Sequence, residues 1–138
     1  MTSTTDIVDA PAVAARFIRW LESGQAPDGL FADDVFFDAS FPRWRVQVDN
    51  VIDALALRSA RHRSPSAVHV ERLEPTSRGF TLEIEERYQY GHEDWYARMM
   101  FRADVESGRI VELAVYCTGD WDEARRREHA EEVTLIRP

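Results

Sequence analysis

Residues 80–118 read FTLEIEERYQYGHEDWYARMMFRADVESGRIVELAVYCT. Apolar and polar residues alternate through 80–90, 95–105 and 109–118, and the polar runs GHED and ESG separate them. Alternation is the period of a half-buried strand, and glycine with polar residues between two such runs marks a hairpin turn. A further alternating stretch, 67–74 (AVHVERLE), precedes them across PTSRG. The spacing therefore predicts four sequential strands in an antiparallel meander. One face of each looks into a core: Val111, Leu113, Val115 and Cys117 on the last strand, Trp95, Ala97, Met99 and Phe101 on the one before. On 80–90 the inward parity is Phe80, Leu82, Ile84, Glu86, Tyr88 and Tyr90.

Upstream the period changes. Val13, Phe17, Trp20 and Leu21 fall at i, i+4, i+7 and i+8, with Gly24 in the position that ends a helix, so 11–23 reads as an amphipathic helix. The ten residues before it show no periodic apolar pattern and read as a loose tail. The stretch 25–34, QAPDGLFADD, reads as a loop or helical turn delivering the chain to a strand at 35–41 (VFFDASF). Asp49 is placed to cap a helix over 50–62 whose apolar face is Val51, Ile52, Leu55 and Ala56, ended by HRSPS. After Gly119, Asp120 with Glu123 three positions on reads as a capping box opening a charged helix over 120–132.

Helices followed by a curled antiparallel meander are an α+β order. The chain has 138 residues, 44% of them hydrophobic and 30% charged, which suits one compact domain over 11–138 and leaves no room for a second. All 17 basic residues are arginine, so Schiff-base chemistry at a lysine is excluded. The net charge of −8 opposes binding to nucleic acid and to anionic membrane surfaces. No run approaches the ~20 apolar residues of a membrane-spanning helix. The single cysteine cannot form an internal disulfide, and MTSTTDIVDA has no secretory pattern, so a cytoplasmic location is expected.

The stretch LFADDVFFD after an amphipathic helix, with GRIVELAVYCTGDWD closing the sheet, resembles the nuclear transport factor 2-like (cystatin-like) superfamily. That superfamily includes SnoaL-like polyketide cyclases and ketosteroid isomerases. The resemblance spans roughly residues 11–122 and implies a cone-shaped, curved, mostly antiparallel sheet wrapped around the N-terminal helices, with a pocket in its mouth. A fold of this kind does not settle a reaction. The resemblance to the ketosteroid isomerases stops short of their catalytic stations: the base position falls on Ala39, the inward acid of the penultimate strand on Met99, and no tyrosine stands near Arg16 and Phe17. The Arg and two Asp of epoxide hydrolases with this fold have no matching trio either.

Glu86 is the sharpest oddity, a carboxylate of inward parity among apolar and aromatic neighbours. Burial disfavours its charged form and would tune it as a general acid or base; alternatively it pairs with an arginine or lies outside after a bulge. Tyr88 and Tyr90 on the same face would donate a hydrogen bond to a developing oxyanion or simply line a pocket. Asp38 lies where the family's enzymes often keep a catalytic acid or base, one residue early, so it reaches a pocket only if the strand bulges or ends there. Cys117 reads as an inert pocket-lining thiol. His92, Glu93 and Asp94 form a polar hairpin tip, His69 stands alone, and His62 and His129 fall at helix ends. No metal-ligand spacing is present, and neither metal nor cofactor is expected.

The preferred reading is a small cofactor-independent enzyme using general acid/base chemistry on a hydrophobic, carbonyl-bearing molecule, as a polyketide or terpenoid cyclase, isomerase or dehydratase would. Glu86 is the expected base, Asp38 its partner, and Tyr88 or Tyr90 the group that polarises the carbonyl. Phe17, Phe37, Trp44, Trp95, Met99, Leu113, Val115 and Cys117 are the expected substrate-binding wall. The alternative is a non-catalytic small-molecule-binding or dimerisation module of the same fold. Arg98 and Arg102, alternating opposite the core residues, are expected to face Glu83, Glu85 and Glu112. Tyr96 and Met100 share that outer face and make it a homodimer surface.

Overall fold

A computed structural model describes residues 4–61 and 65–137. The elements run α1 (Thr4–Ser23), β1 (Phe31–Ser40), β2 (Arg45–Val48), α2 (Val51–Arg61), β3 (Ser66–Pro75), β4 (Gly79–Tyr90), β5 (Glu93–Glu106), β6 (Arg109–Cys117) and α3 (Glu123–Glu132). The six strands form one curved, open, mixed sheet in the order β2-β1-β6-β5-β4-β3. Every neighbouring pair is antiparallel except β1 with β6. The meander is the expected one, and α1 lies across β3, β4 and β5 while α2 packs on β1. No helix among the described residues is long and apolar enough to cross a membrane.

The centre of the core is aromatic. Phe17 is fully buried, its ring 4.9 Å from Phe101, 5.7 Å from Trp20 and 6.1 Å from Phe80. Most of these contacts are tilted or edge-on, the arrangement that the ring quadrupole favours. Gly24 ends α1 as expected, with φ of 77° and its N–H donating to the Trp20 carbonyl at 2.8 Å.

Several expectations need correction. The helix starts at Thr4 rather than near Pro11, so residues 4–10 are not a loose tail; buried Ala10 extends the packed face by one position before the proline. Strand β1 begins at Phe31, inside the stretch read as loop. Its register against β6 jumps between Phe31 and Phe36, and the bulge leaves Asp33 and Asp34 exposed, which is why the segment does not alternate in sequence. β2 carries too few residues for its alternation to be legible. On α2 the cap is Asn50, whose side-chain oxygen accepts from the Asp53 N–H at 2.8 Å, not Asp49. The inner face of that helix is built on Val51, Ala54, Leu55 and Leu57, with Ile52 and Ala56 exposed. On β6 a second bulge opposite Asp104 and Val105 skips Val111 and brings Ile110 to the core. The N-cap of α3 is Asp122, whose carboxylate accepts from the Arg125 N–H at 2.8 Å, not Asp120. His62 lies outside the described residues.

Candidate functional site

The concave side of the sheet is not filled by α1 and α2. A cavity of about 390 Å³ remains, walled by Trp20 and Leu21 of α1, Ala54, Leu57 and Arg58 of α2, Phe37 and Ala39 of β1, and Met99, Phe101, Leu113, Val115 and Cys117 of β5 and β6. Phe41, Pro42, Gly119 and Asp120 form its rim. Among the described residues the wall is apolar apart from Arg58, Asp120 and the Cys117 thiol. An apolar pocket with a few convergent polar groups is the usual form of a small-molecule site.

Arg58 is held from behind. Its Nη2 donates to Glu86 Oε1 at 2.5 Å and to the Leu21 carbonyl at 2.8 Å, and its Nη1 donates to Glu86 Oε2 at 3.4 Å. The Leu21 carbonyl belongs to the last turn of α1, where the helix dipole favours a cation. Glu86 is fully buried, on the inward face of β4 as its parity predicts. The Ser66 hydroxyl stands 3.0 Å from both Glu86 Oε1 and the Leu21 carbonyl, so its one proton serves either. The arginine-paired alternative for Glu86 is therefore the one the structure shows. Arg58 also lies over the Trp20 ring, 5.8 Å from its centroid.

Tyr88 is buried and stacks on Trp95, their rings 6.5 Å apart and 12° from parallel. Burial, then the neighbouring Asp120 carboxylate and a hydrogen bond to it, push the Tyr88 phenol well above its ordinary pKa. Burial pushes the Cys117 thiol up to about 11, with the Gly119 N–H, which donates to Sγ at 3.3 Å, partly opposing it. Burial thus disfavours the thiolate, the form that acts as a nucleophile.

Of the expected binding wall, Phe37, Met99, Leu113, Val115 and Cys117 do line the cavity. Phe17 lies beneath it in the core, Trp95 stands off the wall against Tyr88, and Trp44 is 64% exposed in the β1–β2 turn. Tyr90 is half exposed at the hairpin end, where its carbonyl accepts from the Trp95 indole at 3.3 Å. Asp38 does not join the site. It sits on the outer face between inward Phe37 and Ala39 and is clasped by Arg45 at 2.9 and 2.6 Å, which holds its carboxyl below the usual range. The β1 bulge lies upstream and does not turn it inward.

Arg58 and Asp120 are the two charged wall residues that sequence reasoning missed. Arg58 follows Ala54 by four and Leu55 by three, which puts an arginine on the inner face of α2, but its own element does not say that it meets Glu86. Asp120 was hidden because DWDE offers two N-caps, and the cap falls to Asp122. Among the described residues, no three His, Cys, Asp or Glu side chains are grouped to hold a metal ion.

By sequence, no protein-family model and no curated protein matches the chain. Solved structures do match its shape. A nuclear transport factor 2-like protein from Anabaena variabilis superposes with a TM-score of 0.69 at 15% identity, over 87% of this chain and 96% of that one. An LEH-like epoxide hydrolase from M. tuberculosis gives 0.64 at 16% identity, over 80% and 83%. A proposed ketosteroid isomerase from Kribbella flavida gives 0.60 at 17% identity, over 96% and 93%. The expected architecture and the shape of these neighbours agree: this chain has the nuclear transport factor 2-like fold.

Proposed function

We propose that the protein binds an apolar, carbonyl-bearing small molecule in the cone and moves a proton on the carbon beside that carbonyl. The observation that carries this reading is the composition of the wall among the described residues: one cation, Arg58, and one carboxylate, Asp120, in an otherwise apolar cavity. Of the five N–H donors of a guanidinium, three are engaged by Glu86 and Leu21 among the described residues; the Nε–H and one Nη1 N–H remain on opposite edges of the group, and one of them serves a ligand oxygen. Donors held in place before the reaction stabilise an enolate oxygen more than the carbonyl it came from. Asp120 takes the proton from carbon and returns it, with the Tyr88 hydroxyl beside it. Glu86 serves here as the counter-ion that fixes Arg58, and the base role first expected of it passes to Asp120. That two of the similar structures are named for small-molecule chemistry supports the class without fixing the substrate.

A second reading is binding without turnover, and it is favoured by the engagement of Glu86 with Arg58 and Ser66. One experiment separates the two. Monocyclic and bicyclic ketones and enones are screened in D₂O by NMR, reading binding from the Trp20 indole resonance and catalysis from deuterium uptake beside the carbonyl. Exchange faster than in buffer is expected, and Asp120→Asn is expected to lower it about 100-fold, the smaller end of general-base effects, with little change in affinity. Ketones that bind but exchange only at the buffer rate would leave the binding reading standing.

The outer face carries exposed Met100 and Tyr116, which are register partners on β5 and β6. The expected charge pairs flank them, Arg102 to Glu112 at 3.2 Å and Arg98 to Glu83 and Glu85 at 4.0 Å. We propose that a second copy covers this half of the sheet. Sedimentation is expected to give twice the 15.9 kDa chain mass, and Tyr116→Arg to give the single mass; a wild-type monomer at high concentration rules the dimer out.

A further inference from the structure

The other half of the outer face is covered by the chain itself. Trp121 pairs with Tyr96 through two backbone hydrogen bonds of 3.0 and 2.7 Å, and the hairpin tip grips the start of α3. There the Glu123 N–H donates to Glu93 at 3.0 Å, and the Asp94 N–H donates to Glu123 at 2.9 Å. α3 buries no residue of its own. Between it, the segment after it and the sheet lies a cleft of about 580 Å³.

The cleft is positive in a protein whose net charge is −8. Four arginines line it, Arg87, Arg98, Arg126 and Arg137, against two carboxylates, Glu71 and Glu85. Both carboxylates have other work: Glu85 accepts from the Tyr96 hydroxyl at 2.9 Å and stands 4.0 Å from Arg98, and Glu71 stands 3.6 Å from His69. Arg87, Arg126 and Arg137 make no ion pair among the described residues. Arg87 and Arg126 converge instead on aromatic surface. The guanidinium of Arg87 lies 5.0 Å and that of Arg126 5.6 Å from the centre of the Tyr96 ring, and Trp121 carries Arg125 at 5.0 Å and His129 at 5.2 Å. Like charges brought together without counter-ions repel, and an anion bound among them relieves that repulsion. Guanidinium groups grip carboxylate or phosphate oxygens through paired N–H donors. Trp121 and Leu135 on the same wall supply flat and apolar surface.

We propose that this cleft is a second ligand site, separate from the cone, for a small organic anion: a carboxylate or phosphate carried on a flat apolar group. Arg87 and Arg126 hold the anionic end, and the apolar part lies against Trp121 and Leu135. The volume fits a small molecule rather than a polymer. The proposal does not depend on what the cone binds, because the two sites have different tryptophan reporters, Trp20 in the cone and Trp121 in the cleft.

The test titrates the full chain with 1-naphthyl phosphate, 1-naphthoate, 1-naphthol and inorganic phosphate. Calorimetry reads affinity, and the Trp20 and Trp121 indole N–H resonances, assigned with Trp20→Phe and Trp121→Phe, read location. Both naphthyl anions are expected to bind, to shift Trp121 and leave Trp20 in place, and to weaken as salt is raised. Naphthol and inorganic phosphate are each expected to bind at least about tenfold more weakly. Arg87→Gln and Arg126→Gln, both surface changes that leave the core intact, are each expected to weaken the anions about tenfold, the loss of one charge-assisted contact. The proposal is overturned if the anions do not bind, if they shift Trp20 alone, or if neither arginine substitution changes the affinity.

Discussion

Replacing Arg58 by methionine is expected to lower the unfolding free energy by about 3–5 kcal/mol, read by urea denaturation. The size follows from what stays behind. Glu86 is fully buried and Arg58 11% exposed at its side chain, so water cannot replace the guanidinium around the carboxylate. The Leu21 carbonyl at the end of α1 loses its guanidinium donor in the same step and keeps only the Ser66 hydroxyl that it shares with Glu86. The pair itself need not be strongly stabilising, since taking two charges out of water offsets much of their attraction. Adding Glu86→Leu to Arg58→Met is therefore expected to recover at least about 2 kcal/mol, because it removes a buried carboxylate that has lost its guanidinium. A single substitution costing under about 1 kcal/mol would mean that the pair is solvated and the cone open behind it. The same cycle bears on function: if Glu86 serves only to hold Arg58, Glu86→Gln weakens ligand binding and exchange together and leaves the Asp120-dependent step in place.

What could be read from the chain and what could not divides along a physical line. Alternation in 80–90 and 95–105 carries β4 and β5 because each of those strands keeps one unbroken register with its neighbour across their shared hairpin. Alternation misleads where a bulge inserts a residue, since one extra position inverts every side chain beyond it. Alternation by itself therefore points Val111 inward and leaves out Ile110, and gives the first residues of β1 no strand period. The parity of Glu86 was legible from its own strand, but its partner was not, because Arg58 lies on another element 28 positions earlier. The wall residues of β5 and β6 follow from parity, and Asp38 fails by the same rule, one residue from Phe37 and on the opposite face. Asp120 belongs to a stretch with no period at all. Its place at the rim depends on which of two aspartates caps α3, a choice settled by three-dimensional contacts with Glu93 and Asp94.

Phe17→Ala is expected to destabilise the fold by about 3–5 kcal/mol, while Trp44→Ala changes stability by no more than about 0.5 kcal/mol. Both aromatics read from sequence as pocket wall, and the structure separates them. Phe17 is fully buried and its ring meets Trp20, Phe31, Phe80 and Phe101, so truncation loses transfer energy and leaves a void. The void cannot collapse easily, because its lining comes from α1 and from strands at both sides of the sheet. Trp44 is 64% exposed in a turn and gives up little on removal. Two of the rings around Phe17, Trp20 and Phe101, are themselves cavity wall, so Phe17 is the packing that holds the cone's floor in shape. Ligand affinity is therefore expected to fall in Phe17→Ala even at temperatures where the variant is folded, and to stay unchanged in Trp44→Ala. Equal stability losses in the two variants would place the core elsewhere. A destabilised Phe17→Ala with undiminished affinity would detach the floor from the site.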